Sequence, residues 1–185
     1  MPKAVYYTAT TLDGFLADPD DSLAWLLRQP QDTAAAGDFD YDAFIKDIGA
    51  IVMGSTTYEW VLAHEPDKWY YDMPAWVMTT RDLAMPAVDG ADVRFASGDV
   101  RRVYDDMVAA AGGKDLWVVG GGDLAGQFAD AGLLDEVVAT IAPVTLGAGR
   151  PLLPRRLELE LLETARNAGF VCARYRVDGR LLEDR

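Results

Sequence analysis

The sequence predicts an α/β fold: a mostly parallel central sheet flanked by helices and ending in an antiparallel hairpin. Three observations predict it. Uncharged runs rich in β-branched, aromatic and small residues at 4–10, 50–53, 75–78 and 116–119 have the composition of strands buried on both faces. Two of these runs pass through glycine straight into helical patterns, at Gly54 and at Gly120-Gly121-Gly122. The last stretches, 157–162 and 170–177, alternate in strand fashion with no helix between them.

Each element has its own signal. The first strand ends in Leu12-Asp13-Gly14. Residues 18–42 form an excursion with Pro19, Pro30 and a run of three Ala, around one short amphipathic piece at 22–27. A second helix is expected from Asp38 or Asp40, carrying Phe44, Ile45 and Ile48 inward and stopped by Gly49. The strand at 50–53 turns at Gly54 into a helix through Val61, and the strand at 75–78 delivers Thr79-Thr80-Arg81. After a short strand at 93–96, Asp99 caps a helix whose Val100, Val103, Tyr104, Met107, Val108 and Ala111 share one face, and Gly112-Gly113 ends it. A helix over about 123–131 follows the third glycine turn, closed by Gly132. Residues 137–146 read as one long strand interrupted by a bulge or edge at Pro143.

A chain of 185 residues suits a single domain, 1–185, with one sizeable core. With 50% apolar and 25% charged residues it is composed like a folded globular protein. Seventeen Lys and Arg against 30 Asp and Glu give a net charge of −13, which disfavours nucleic acid or an anionic membrane as partner. One cysteine, Cys172, and one histidine, His64, exclude an internal disulfide and cysteine- or histidine-cluster metal sites, so no metal is expected. The first residues lack the apolar stretch of a signal peptide or a membrane span, which points to the cytoplasm.

Gly54-Ser55-Thr56-Thr57, Thr79-Thr80-Arg81 and Gly120-Gly121-Gly122 all follow strands, and two of them open helices. Helix starts carry unpaired N–H groups and a positive dipole end, and glycine lets a phosphate reach that backbone. In an α/β sheet, ligands bind beyond the carboxyl ends of strands, so three such ends together would form one groove long enough for a dinucleotide. Each piece has a plainer reading as a cap, a solvated strand end or a tight turn. Their co-occurrence, with Arg81 available to clamp a phosphate on an acidic chain, is what carries the groove. Among proton-transfer candidates, His64 suits a surface or cap role and Cys172 a core position. Asp13 and Asp38 stand where turn and cap roles are usual but a half-buried functional carboxylate is also compatible. Trp25 and Trp69-Tyr70-Tyr71 are rich enough in aromatics to wall a flat-ring pocket.

Five segments, in order, resemble the dihydrofolate reductase superfamily, and within it the bacterial branch related to the reductase domain of riboflavin biosynthesis. They are the runs from Thr11-Leu12-Asp13-Gly14, from Ile51-Val52-Met53-Gly54-Ser55-Thr56-Thr57-Tyr58-Glu59 and from Trp76-Val77-Met78-Thr79-Thr80-Arg81. Leu116-Trp117-Val118-Val119-Gly120-Gly121-Gly122 follows, and then Ile141-Ala142-Pro143 through Gly149-Arg150-Pro151-Leu152-Leu153. The resemblance implies an NADPH site. Ala9 and Leu16 would lie against the nicotinamide, and Gly54, Ser55, Thr56 and Thr57 would bind the pyrophosphate. Thr79, Thr80 and Arg81 would hold the adenosine end, with Arg81 on the 2′-phosphate, while Gly120, Gly121, Gly122, Asp123 and Leu124 pass beneath. On the substrate side it implies Asp38 as the acid, replaceable by Asp40 or Asp42 after a small shift, with Asp13 second and Thr140 lining the site.

The expected function is therefore an NADPH-dependent reductase passing hydride to a small heterocyclic or imine-like acceptor of pterin or riboflavin-pathway type. The alternative is a non-catalytic, regulatory nucleotide-binding protein that retains the fold. The branch resembled also implies a homodimer.

Overall fold

A computed structural model describes residues 1–30 and 39–181 of the chain. Asp38, the first candidate acid, lies outside the described residues. One sheet runs through the molecule in the order β5-β4-β3-β6-β1-β7-β10-β9. Its middle strand is β1 (Ala4–Thr11), between β6 (Asp115–Gly120) and β7 (Glu136–Ala142). Towards one edge lie β3 (Ile48–Gly54), β4 (Ala75–Met78) and β5 (Val93–Ala96), all paired in parallel. Towards the other, β10 (Phe170–Arg180) runs antiparallel to β7 and forms the terminal hairpin with β9 (Leu157–Asn167). A small second sheet pairs β2 (Phe15–Ala17) with β8 (Arg150–Pro151).

The uncharged runs become the inner strands because both faces are covered. Ala50, Val52, Leu116 and Val118 face α4 (Val100–Ala110) and α5 (Gly122–Asp130), packing on Val103, Met107, Ala125 and Phe128. Ile51, Met53, Val77 and Trp117 face the opposite way, toward Tyr58 of α3 (Ser55–His64). A third cluster, Val5, Trp25, Phe39, Val138 and Cys172, joins the short α1 (Ala24–Leu27) to the sheet beside β7 and β10. Asp99 caps α4 as its spacing predicts, its side chain accepting from the Arg101 N–H.

Two boundaries differ from the sequence reading. The second helix, α2 (Tyr41–Lys46), ends before Ile48, and both Ile48 and Gly49 belong to β3. Gly49 is glycine for another reason than stopping a helix: a Cβ there would clash with the carbonyl of Ala111 at the end of α4. Helix and strand pack too closely for any side chain. Pro143 does not sit in a bulge; β7 stops at Ala142. Proline has no N–H for the ladder, and Val144 instead donates to the Ala142 carbonyl at 2.8 Å while accepting from the Leu12 N–H at 2.8 Å.

Candidate functional site

Parallel pairing in register brings three strand ends side by side, since Met53 stands opposite Gly120 and Gly54 opposite Met78. The chain leaves β3 and β6 directly into α3 and α5, whose N-caps are Gly54 and Gly121. Neither helix start is capped by a side chain. The first-turn N–H groups of both helices are therefore left for another partner. A Cβ on Gly54 would project towards the Gly120 carbonyl, 3.8 Å away, into the cleft between the two strand tips. Gly120 itself has φ +139°, a conformation that favours glycine, and precedes a cis peptide to Gly121. Gly122 is required by packing, because a Cβ would strike the carbonyls of Pro151 and Leu152.

Beyond these tips opens a cavity of about 1060 Å³. Leu16, Gly54, Ser55, Thr56, Thr57, Gly121, Gly122, Asp123 and Leu124 line it together, with Met78 at the end of β4. Of the other residues expected in this groove, Gly120, Thr79, Thr80 and Arg81 are not among those that line it, and Ala9 lines a different cavity. The Thr79 hydroxyl accepts from the Arg81 N–H at 2.9 Å, folding the turn on itself. The Arg81 guanidinium makes a two-pronged ion pair with Glu59, at 3.1 and 2.6 Å, and it is Glu59 that lines the cavity. Asp123 is held by Gln127 at 2.9 Å and Arg155 at 3.0 Å, and these bonds keep its carboxyl below the usual range.

Residues to which the sequence reading gave no part in the groove complete this cavity. Arg150 lines it, in a two-pronged pair with Asp21 at 2.5 and 2.9 Å that ties β8 to the segment before α1. Trp60 and His64 flank its outer part, their rings stacked with centroids 3.9 Å apart, and His64 Nδ1 lies 2.9 Å from the Trp60 carbonyl oxygen. Helical spacing was the available signal: Thr56, Glu59, Trp60 and Ala63 share one face of α3.

A second cavity, of about 190 Å³, is lined by Ala9, Thr140, Tyr7, Tyr41, Phe170 and Asp40, among others. Asp40 Oδ1 is buried and has no hydrogen-bond partner. The Tyr7 hydroxyl donates to the Phe39 carbonyl at 3.0 Å, and burial pushes its pKa up to about 12. Burial also raises Tyr41, so both phenols are neutral donors at physiological pH. Thr140 donates to the Thr8 carbonyl at 3.4 Å. α1 contributes to both cavities, Ala24 and Leu27 to the large one and Leu26 to the small one.

Asp13 lines neither cavity. Its carboxylate accepts from Thr11 Oγ1 at 2.6 Å, Gly147 N at 2.7 Å and Leu146 N at 3.0 Å, holding the turn after β1 to the loop after β7. The Thr11 bond first, and the two backbone N–H groups with it, lower its pKa. The aromatic residues expected to wall a flat-ring pocket are placed otherwise. Trp25 is buried with its indole N–H on the Leu16 carbonyl at 3.1 Å, and Trp69 and Tyr71 pack beneath β3 and β4.

Residues 71–168, more than half of the chain, match the family model of the RibD C-terminal domain. The chain belongs to this family. The match spans β4 to β9 and includes the strand tips at Met78 and Gly120. An uncharacterized protein of Bacillus subtilis, YwjB, is 30% identical over 150 residues, covering 81% of this chain and 82% of that protein. The riboflavin biosynthesis protein RibD of Corynebacterium ammoniagenes is 28% identical over 179 residues, covering 94% of this chain and 51% of that protein. Among solved structures, a Shewanella sp. PV-4 protein provisionally assigned to riboflavin biosynthesis superposes with TM-score 0.80 at 26% identity, over 95% of this chain and 99% of that one. Dihydrofolate reductase from Enterococcus faecalis, solved with NADP(H), superposes with TM-score 0.57 at 13% identity, over 95% of this chain and 96% of that one. This RibD C-terminal domain family member thus has the dihydrofolate reductase-like fold. Among its described residues, no helix is long and apolar enough to cross a membrane.

Proposed function

We propose that this RibD C-terminal domain family member is a single-domain, homodimeric, NADPH-dependent reductase acting on a small flat heterocycle, a pyrimidine or pterin of the kind handled in riboflavin biosynthesis. The observation that carries the proposal is the pair of glycine-led helix starts, α3 and α5, opening uncapped into one large cavity. A dinucleotide fits there: the cleft between Gly54 and Gly120 is one that a Cβ would enter, and a pyrophosphate can take the free amides at its rim. The cavity volume suits a ligand of that size.

A reduced nicotinamide bound here would supply a hydride for an electrophilic carbon of the acceptor. The chain's own contribution is binding, orientation and a proton. The Ser55, Thr56 and Thr57 amides, with those at the start of α5, would hold the phosphates, and Leu16 of β2 would lie against the ring. Ala9 and Thr140 line the small cavity, whose aromatic walls suit a flat ring. Asp40, the neighbour to which a small shift carries the acid role from Asp38, presents there a buried Oδ1 free to accept a ring N–H or to pass on a proton. Asp13 then acts through loop geometry, not at the reacting atoms.

The test is a titration with NADPH followed by nicotinamide fluorescence, then a panel of pyrimidine and pterin acceptors followed by loss of nicotinamide absorbance. Saturable binding together with oxidation by at least one acceptor is expected. Binding without oxidation by any acceptor would favour a regulatory nucleotide-binding protein, and no binding would remove the proposal.

A further inference from the structure

We infer that Glu59 sets the preference between the phosphorylated and unphosphorylated pyridine dinucleotides by competing with a ribose 2′-phosphate for Arg81. The inference rests on the dinucleotide reading above and goes beyond it, since the family resemblance assigns the 2′-phosphate to Arg81 and gives Glu59 no part.

The arrangement follows from two adjacent strand tips. Gly54 and Met78 are register partners, so the start of α3 and the turn after β4 emerge side by side. Arg81 ends that turn, and Glu59 lies four residues, about 6 Å, along α3 from Ser55. A ligand whose phosphates sit on the first-turn amides and which runs along this face reaches Glu59 within the length of a ribose. What it meets there is a carboxylate on the cavity wall, with the Arg81 guanidinium ion-paired to it. The wall is already acidic: Asp20, Asp21, Glu59 and Asp123 line it, against Arg150 as its one guanidinium among the described residues.

The two ribose forms place opposite demands on this pair. A 2′-hydroxyl can donate to Glu59 while the ion pair stays closed. A 2′-phosphate must draw Arg81 away and then remain beside a carboxylate of like charge. Opening the pair is feasible because both side chains are about half exposed, 54% for Arg81 and 45% for Glu59, where ion pairs are weak and screened. Arg81 therefore rewards the 2′-phosphate and Glu59 penalises it, and the balance between them sets the preference. The other expected adenosine residues, Thr79 and Thr80, carry no charge, and the Thr79 hydroxyl is bonded within its own turn.

The experiment is a set of fluorescence titrations with NADPH and NADH on the parent chain, Glu59→Gln, Arg81→Ala and the double variant. Glu59→Gln is expected to tighten NADPH about five- to tenfold and to leave NADH unchanged or weakened about twofold. Arg81→Ala is expected to weaken NADPH about tenfold or more and to spare NADH. In the Arg81→Ala background, Glu59→Gln should recover no more than about threefold for NADPH, because the competition has lost its object. Equal changes for both dinucleotides, or an NADPH to NADH ratio that Glu59→Gln moves by less than about twofold, would overturn the inference and leave the reductase reading intact. A parent chain that binds neither dinucleotide would remove both.

Discussion

The large cavity is based on backbone, the glycine-led starts of α3 and α5, whereas the small cavity is walled by side chains from segments far apart in the chain, Tyr7 and Ala9, Asp40 and Tyr41, Thr140 and Phe170. A backbone site is specified by what its residues lack, so a short local motif is enough to announce it. A side-chain site is specified by which residues the topology brings together, and no local motif announces that. Substitutions in the two regions should accordingly fail differently.

The largest effect expected is at a glycine that belongs to packing. Gly122→Ala drives a methyl into the Pro151 and Leu152 carbonyls and should cost about 2–3 kcal/mol in urea unfolding, with β8 displaced. Gly54→Ala, one strand away, meets nothing closer than 3.8 Å. It should stay within about 1 kcal/mol of the parent in the same assay, yet weaken NADPH about tenfold by filling the cleft. If both variants lost stability equally, the distinction between a packing glycine and a ligand-facing glycine would be broken.

In the small cavity, Asp40→Asn should lower kcat about 100-fold in the acceptor assay and leave NADPH affinity within about twofold. Its melting temperature should not fall. The carboxylate Oδ1 has no hydrogen bond to lose and Asp40 does not cap α2 with its side chain. Parallel loss of turnover and of dinucleotide affinity would merge the two cavities into one functional unit.

The legibility of the two regions differs for the same reason. The strand–glycine–helix passages at Gly54 and Gly120 are readable, and with them the alternation of strand and helix along the chain and the hairpin at its end, because burial on both faces imposes a composition on each strand; the order of the strands within the sheet is not. Gly49 was misread because a glycine that stops a helix and a glycine that admits a helix end look alike in one dimension. Glu59 has no role legible in the sequence, since only the neighbouring tip of β4 brings Arg81 to it. Asp40 stands in the sequence only as one of two substitutes for Asp38; an unpartnered oxygen distinguishes it, and no spacing in a sequence reports that. Asp13 kept the turn role usual for an Asp before glycine, enlarged by a bond to the loop at Gly147 that lies far along the chain.

A smaller effect concerns that loop. The bonds that lower the Asp13 pKa stabilise the folded chain while the carboxylate is ionised. Its folded value lies below the unfolded one, near 3.8, so this contribution is complete above that pH and is lost as acid titrates the folded carboxyl. Asp13→Asn should lower the melting temperature at neutral pH and flatten its fall below about pH 4. An unchanged acid limb would detach the turn after β1 from the loop after β7. The smallest change is expected for His64→Gln at the large cavity, where NADPH affinity in the fluorescence titration should move by less than about twofold, because what is altered is the ring stack on Trp60 and the Nδ1 contact with the Trp60 carbonyl, neither of them at the helix starts.

The most direct measurement follows the backbone amides themselves. In a proton–nitrogen correlation spectrum titrated with NADPH, the amides of Ser55, Thr56 and Thr57 and those of Gly122 and Asp123 should shift together and saturate at one common dissociation constant. NADPH binding that leaves both sets unmoved would contradict the account, because the dinucleotide would then be held somewhere other than the tips of β3 and β6.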